Sequence, residues 1–295
     1  MFVGITSLAI AESINSNEVL YDNSNSNNSR DNVQDALDDI CKIIDYNSVG
    51  FSLLTNTPTG LSSELIDGLY RYQGTNTNNY ICFGTNDKET CTSDLGSYMY
   101  RIVGIDSDGR MKLIKKEALS QRYAWDVQKN VDWVNSDLYI GLNGNYFLDN
   151  TIYVPDTNWS NKIAVTQWHY LTTTDSSIST IGARELSSPE VVNAKIGVMY
   201  IHDYADSLVP SAYSRDSWIY ITKNDIVPDN QWDREWTITR YNGSNTWYIS
   251  GGGMAYYGST GSMAYEHIVR PVFFLRASER IASGTGTITD PYILE

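Results

Sequence analysis

Catalysis near neutral pH needs a nucleophile, an acid–base pair or a metal-binding set, and residue types able to form one are sparse in this chain. Three histidines, His169, His202 and His267, are widely spaced, and none falls in a metal-binding spacing such as H-x-x-x-H. The sequence has neither a G-x-S-x-G elbow nor a phosphate loop. His202-Asp203 offers at most half of an acid–base pair. Asp106 and Asp108 resemble the opening of a calcium loop, but no glutamate closes it at the required position and strand-like sequence lies on both sides. Asp106-Ser107-Asp108-Gly109 therefore reads as a hairpin turn. Paired carboxylates signal little in an acidic chain. The expectation is a protein that is not an enzyme, with no catalytic or metal-ligating residues and no cofactor; calcium has no support.

Cysteine chemistry is the next candidate. Of three cysteines, Cys82 and Cys91 bracket a short polar stretch with strand-like sequence on either side. They read as a local disulfide worth roughly 2–3 kcal/mol, with two free cytosolic thiols as the competing reading. Cys41 is left over: buried, free or intermolecular.

Binding has a stronger signature. Residues 240–267 (RYNGSNTWYISGGGMAYYGSTGSMAYEH) consist mostly of Tyr, Ser, Gly, Asn, Thr and Trp. Rigid aromatic anchors set among small adaptable hydrogen-bonders are the mixture of antibody loops. The candidate contact residues are Tyr241, Asn242, Asn245, Trp247, Tyr248, Tyr256 and Tyr257. The alternative is that Trp247 and Tyr248 are strand residues packed on the core.

Composition narrows the partners. The chain has 295 residues, 22 Tyr and 8 Trp against 6 Phe, a bias that suits water-facing β-rich surfaces. Net charge is −14 and there is no basic run, so nucleic acid and anionic membrane surfaces would be repelled.

The elements that must position these residues follow from periodicity. Residues 1–11 are apolar but lack a basic start and are too short to span a bilayer. Asn/Ser-rich sequence with one short strand at 19–21 leads to a helix over 31–45. Val33, Leu37, Ile40 and Ile44 share a stripe on it, able to pack on the body or to form a short coiled-coil seam. Short strands dominate from residue 64: 69–72, 80–83, 98–105 and 110–114, with a buried strand at 195–201 and another at 269–275 broken early by Pro271. One helix is expected over 136–147, capped by Ser136, with Leu138, Leu142 and Tyr146 on one face.

Two resemblances add to this. Glu18-Val19-Leu20-Tyr21-Asp22-Asn23, followed by Asn32-Val33-Gln34-Asp35-Ala36-Leu37-Asp38, is similar to a strand–turn–helix motif of phage tail fibres and bacterial surface proteins, often found in trimeric stalks. The other is carried by Gly68-Leu69-Tyr70-Arg71-Tyr72 with the Cys82/Cys91 stretch, Tyr100-Arg101-Ile102-Val103-Gly104 with Lys112-Leu113-Ile114-Lys115, and Lys195-Ile196-Gly197-Val198-Met199-Tyr200-Ile201-His202-Asp203-Tyr204. Its last block runs from Val269-Arg270-Pro271-Val272-Phe273-Phe274-Leu275 to Asp290-Pro291-Tyr292-Ile293-Leu294. Together these resemble a family of secreted proteins from Gram-positive gut bacteria, similar in turn to the C-type-lectin-like fold of formylglycine-generating enzymes and retroelement-diversified receptors.

The resemblance implies an α+β, β-rich, C-type-lectin-like domain of short, mainly antiparallel strands over 64–295, with its two ends meeting in one sheet. Ahead of it would lie an apolar tail and connector (1–30) and a helix and linker (31–63). Formylglycine generation is not carried over, because no cysteine follows Cys91. His202-Asp203 falls at the family's strand-to-helix junction, where Asp203 is explained as a helix cap. Arg270 is expected to be a buried packing arginine, with Val272 and Phe274 entering the core. The functional expectation is a secreted or cell-surface adhesion protein that binds a glycan or surface-protein ligand. The alternative is a homo-oligomeric fibre, pilus or tail-like subunit whose Phe2, Val3, Ile5, Leu8 and Ile10 insert into the next copy.

Overall fold

The computed structural model describes residues 49–56, 58–129, 132–144, 157–175, 177–207, 233–251, 255–257 and 261–295. All belong to one compact unit, Asn47–Glu295. The expectations for residues 1–11, for the strand at 19–21, for the stripe of Val33, Leu37, Ile40 and Ile44, and for Cys41 and Tyr146 lie outside the described residues.

Short helices punctuate short strands. In chain order they are α1 (Val49–Asn56), β1 (Leu61–Ile66), β2 (Leu69–Tyr72), β3 (Tyr80–Cys82), α2 (Lys88–Ser93), α3 (Leu95–Tyr98), β4 (Met99–Asp106), β5 (Met111–Lys115) and β6 (Tyr123–Ala124). Then come α4 (Asp137–Asn143), α5 (Thr157–Lys162), β7 (Thr166–His169), α6 (Ile178–Ser187), β8 (Val191–Ala194), β9 (Ile196–Gly197) and α7 (Ile201–Asp206). The last third holds β10 (Arg234–Asn242), β11 (Asn245–Ser250), β12 (Ala255–Tyr256), β13 (Glu266–His267), β14 (Val272–Phe274), β15 (Ile281–Ser283) and β16 (Ile293–Leu294). The chain is β-rich with few helices, and its sheets are mostly antiparallel.

The principal sheet runs β1-β2-β4-β5-β14-β9, with β3 also paired to β4. Its centre is β4 and β5, buried along their whole lengths. Covered on both faces, they carry Arg101, Lys112 and Lys115 into the interior along with their apolar residues. The turn between them forms as the sequence suggests: Gly109 takes φ +79°, and Asp106 Oδ1 accepts from the Asp108 and Arg110 amides at 3.0 and 2.9 Å. Asp67-Gly68 makes the tight turn between β1 and β2, with φ of 48° and 83°. A hairpin needs this left-handed pair at a two-residue turn, and Asp-Gly supplies it. Leu53 of α1 belongs to the same core, so the compact unit starts ahead of residue 64.

Three expectations change. Instead of one strand at 195–201, only Ile196 and Gly197 pair, with β14. On its other side the Asn143 amide stands in for a strand, accepting from Ile196 N at 3.0 Å and donating to Ile196 O at 2.8 Å. Tyr200 is already the N-cap of α7. The helix expected over 136–147 is capped by Ser136 but stops at Asn143, with Gly144 at its C-cap. In β14 it is Val272 and Phe273 that are fully buried, while Phe274 is half-buried. This strand is interior, so both of its faces meet protein.

The C-terminal residues return to β3 through an isolated bridge, while β16 pairs with β15 in a separate two-stranded sheet. Tyr292 bridges to Ile81 in the parallel sense, donating to Tyr80 O and accepting from Cys82 N, each at 2.9 Å. Cys82 is disulfide-bonded to Cys91, nine residues on; Cys91 sits on α2, not beyond a loop. Arg270 is buried as a packing arginine, its Nε and Nη2 donating to Glu235 Oε1 and Oε2 at 3.0 and 2.7 Å.

Candidate functional site

The stretch expected to make contacts forms a hairpin, β10–β11, extended by β12. The structure divides its aromatic residues. Trp247 is 1% exposed and Tyr248 4%, so neither is a contact residue. Facing opposite ways on β11, each meets protein. Trp247 donates through Nε1 to Thr173 O at 3.3 Å; Tyr248 lies against His267, ring centroids 5.2 Å apart. A strand covered on both faces has no outward row, and that overturns their expected role.

The remaining candidates sit at the margin of this hairpin. Tyr241 and Tyr257 are half-buried and stacked, centroids 3.8 Å apart and 16° from parallel. Both rest edge-on against Trp247, at 5.6 and 4.6 Å. Beside them Asn242 and Asn245, also half-buried, face each other across the turn, with Asn245 Nδ2 donating to Asn242 Oδ1 at 3.1 Å. Tyr256 is 37% exposed but stacks on Tyr248, on the other face. Four of the seven expected residues are thus brought together: Tyr241, Asn242, Asn245 and Tyr257.

A second assembly of functional side chains lies at the start of α7. An open cleft of about 320 Å³ has Arg71, Lys112, Trp168, Tyr200, His202 and Asp203 among its lining residues. Asp203 closes a capping box by accepting from Tyr200 N at 3.0 Å, the role expected of it. It does more than cap. Arg71 Nη1 donates to its Oδ1 at 2.8 Å and Lys112 Nζ to its Oδ2 at 2.5 Å, and all three side chains are buried.

His202 joins the same cluster. Its Nε2 lies 3.7 Å from Asp203 Oδ1 and its Nδ1 2.7 Å from Glu185 Oε2. Glu185 in turn accepts from the amides of Ile201 and His202, each at 3.2 Å, and from the Thr239 hydroxyl. Burial pulls the Lys112 ammonium below the ordinary lysine range. Burial works upward on Asp203, but Lys112, His202 and Arg71 outweigh it and hold the carboxyl below the usual carboxylate range.

Sequence reasoning reached only His202 and Asp203 of this cluster. Arg71 and Lys112 stand inside apolar strands, in LYRY and MKLIK, where a charge in a buried run was the available signal. Glu185 lies on α6, and nothing in its local sequence singles it out. Among the described residues, no group of His, Cys, Asp and Glu is arranged to hold a metal ion. No protein-family model matches the chain, nor does any curated protein or solved structure.

Proposed function

We propose that this chain is an extracellular, non-catalytic binding protein of adhesion type, with a C-type-lectin-like domain whose contact surface is the ledge of Tyr241, Asn242, Asn245 and Tyr257. The observation that carries the reading is the Tyr241–Tyr257 stack, held edge-on against the buried Trp247. A paired, half-exposed aromatic surface fixed from below loses little conformational entropy on binding. Two adjacent amides supply the directional hydrogen bonds that a hydroxyl-rich glycan requires. The Cys82–Cys91 disulfide is consistent with an oxidising, extracellular setting, and the net charge of −14 disfavours nucleic acid as the partner.

Binding of the full chain to a glycan array tests this. Tyr257→Ala removes half of the stack and should weaken any detected glycan by about tenfold, or ~1.4 kcal/mol. Trp247→Phe leaves space beneath the stack and removes the hydrogen bond to Thr173 O, so it should weaken binding as well, by less than Tyr257→Ala. A glycan bound equally well by Tyr241→Ala and Tyr257→Ala would end the assignment of this surface.

A further inference from the structure

We propose that Asn242 converts spontaneously to aspartate and isoaspartate in the folded protein, through a succinimide closed by the Gly243 amide. The chain contains two Asn-Gly pairs, Asn143-Gly144 and Asn242-Gly243. As sequence they are alike, since glycine has no Cβ to keep its amide nitrogen from the preceding side chain. The fold separates them.

At the end of α4 both parties to the reaction are tied down. The Asn143 amide accepts from Ile196 N at 3.0 Å and donates to Ile196 O and Tyr139 O at 2.8 and 3.3 Å. The Gly144 amide, which would have to attack, donates to Ile140 O at 2.7 Å. Ring closure here requires those bonds to break first, which at the ordinary net strength of a hydrogen bond slows it roughly 100-fold.

At the β10–β11 turn the same groups are accessible and aligned. Gly243 and Ser244 are exposed and Asn242 is half-buried. Among the described residues nothing accepts from the Gly243 amide. Asn242 Oδ1 accepts from Ser244 N at 3.4 Å and from Asn245 Nδ2 at 3.1 Å. The first of these bonds spans Gly243 and folds the side-chain carbonyl over its peptide. Together the two donors meet the charge that develops on Oδ1. Arg240 Nη2 holds Gly243 O at 3.2 Å, which places a positive charge beside the amide that must lose its proton.

The Gly243 proton passes to water. Gly243 N attacks Asn242 Cγ, both held in one turn, and the ring closes as Cγ–Nδ2 breaks. Nδ2 departs with its two hydrogens and one more proton, as ammonia. Water then opens the ring. Breaking the new bond from Gly243 N to Cγ leaves aspartate. Breaking its bond to the Asn242 main-chain carbonyl leaves isoaspartate, whose backbone runs through the former side chain. The net change replaces the NH2 of an amide by OH, and nothing is oxidised or reduced. A negative charge appears on the ledge and, in the isoaspartate, an extra atom enters the backbone opposite Asn245. The conversion is independent of any ligand; that it weakens glycan binding rests on the reading of the ledge given above.

The test follows both pairs in the full chain by peptide mapping and mass spectrometry during incubation in neutral buffer. A parallel sample unfolded in guanidinium chloride serves as the clock, because without structure the two pairs should convert at similar rates. In the folded protein the Asn242 peptide should take on the mass of the acid and split into two chromatographic forms, while Asn143 stays intact over the same interval. Gly243→Val, which crowds the attacking nitrogen, should slow conversion of Asn242 in folded and unfolded samples alike. On the glycan array Asn242→Asp carries the new charge from the start; equal binding by this variant would refute the effect on binding and leave the conversion standing. Asn242 intact in folded protein once the unfolded sample has converted, or both pairs converting equally in the folded chain, overturns the proposal.

Discussion

Lys115 shows how much a single buried charge weighs in this core. It follows the β4–β5 hairpin into the interior, donates to Ser97 O at 2.9 Å and stands over the Tyr100 ring. Burial pushes its pKa from 10.5 down to about 8. Below pH 8 both folded and unfolded chains hold the proton, and the whole desolvation penalty is present. Between about 8 and 10.5 the folded chain has released a proton that the unfolded chain keeps, so folding stability rises with pH. Replacing Lys115 by Met removes that dependence. Urea unfolding of the two proteins should therefore show the unchanged chain gaining on Lys115→Met by up to about 3 kcal/mol from pH 7.5 to 10.5; a difference that stays flat across this range contradicts the account. Lys112 differs because its partner is a carboxyl in direct contact rather than a carbonyl.

Among the elements, a turn glycine and a strand glycine separate backbone cost from packing cost. At Gly68 the left-handed φ of 83° faces open space, and a Cβ would meet nothing within 4 Å. Gly68→Ala should cost about 1 kcal/mol, all of it conformational. In β4, a Cβ at Gly104 would lie 2.8 Å from Tyr70 O on the neighbouring strand, so Gly104→Ala should cost about 1–3 kcal/mol through displaced backbone. Thermal melts of the two variants check the order; equal losses would contradict it. The strand pair spanning residues 98–114 was legible in the sequence because a turn with its own chemistry, Asp-Ser-Asp-Gly, separates two apolar runs. The β10–β11 hairpin was legible only in the alternative reading, which made Trp247 and Tyr248 strand residues packed on the core. Its Tyr, Trp and Thr residues suit an exposed β surface and a covered one equally, and only the third strand and the segment around Thr173 decide between them. The α7 cluster was the least legible, since Arg71, Lys112, Glu185 and Asp203 meet only through long-range packing.

At the scale of the whole molecule, the last residues complete the first strands. Tyr292 fills a place beside β3, and Ile293 joins Cys82, Cys91 and Met99 in a small apolar cluster. Gly286 O also accepts from Tyr80 N at 2.8 Å, so the returning chain satisfies β3 along its outer side. Truncation after Asp290 should leave Cys82 N and Tyr80 O without their Tyr292 partners and replace the cooperative melt by a broad transition at lower temperature; an unchanged melting curve would show the closing strand to be dispensable. The parallel sense of the Ile81–Tyr292 bridge has a mechanical consequence. Tension drawn along the C-terminal residues would load its two flanking hydrogen bonds together, in shear, instead of peeling them apart one after another. Beyond β3 the Cys82–Cys91 bond ties the strand to α2, so the two hydrogen bonds at Tyr292 give way before that covalent link does.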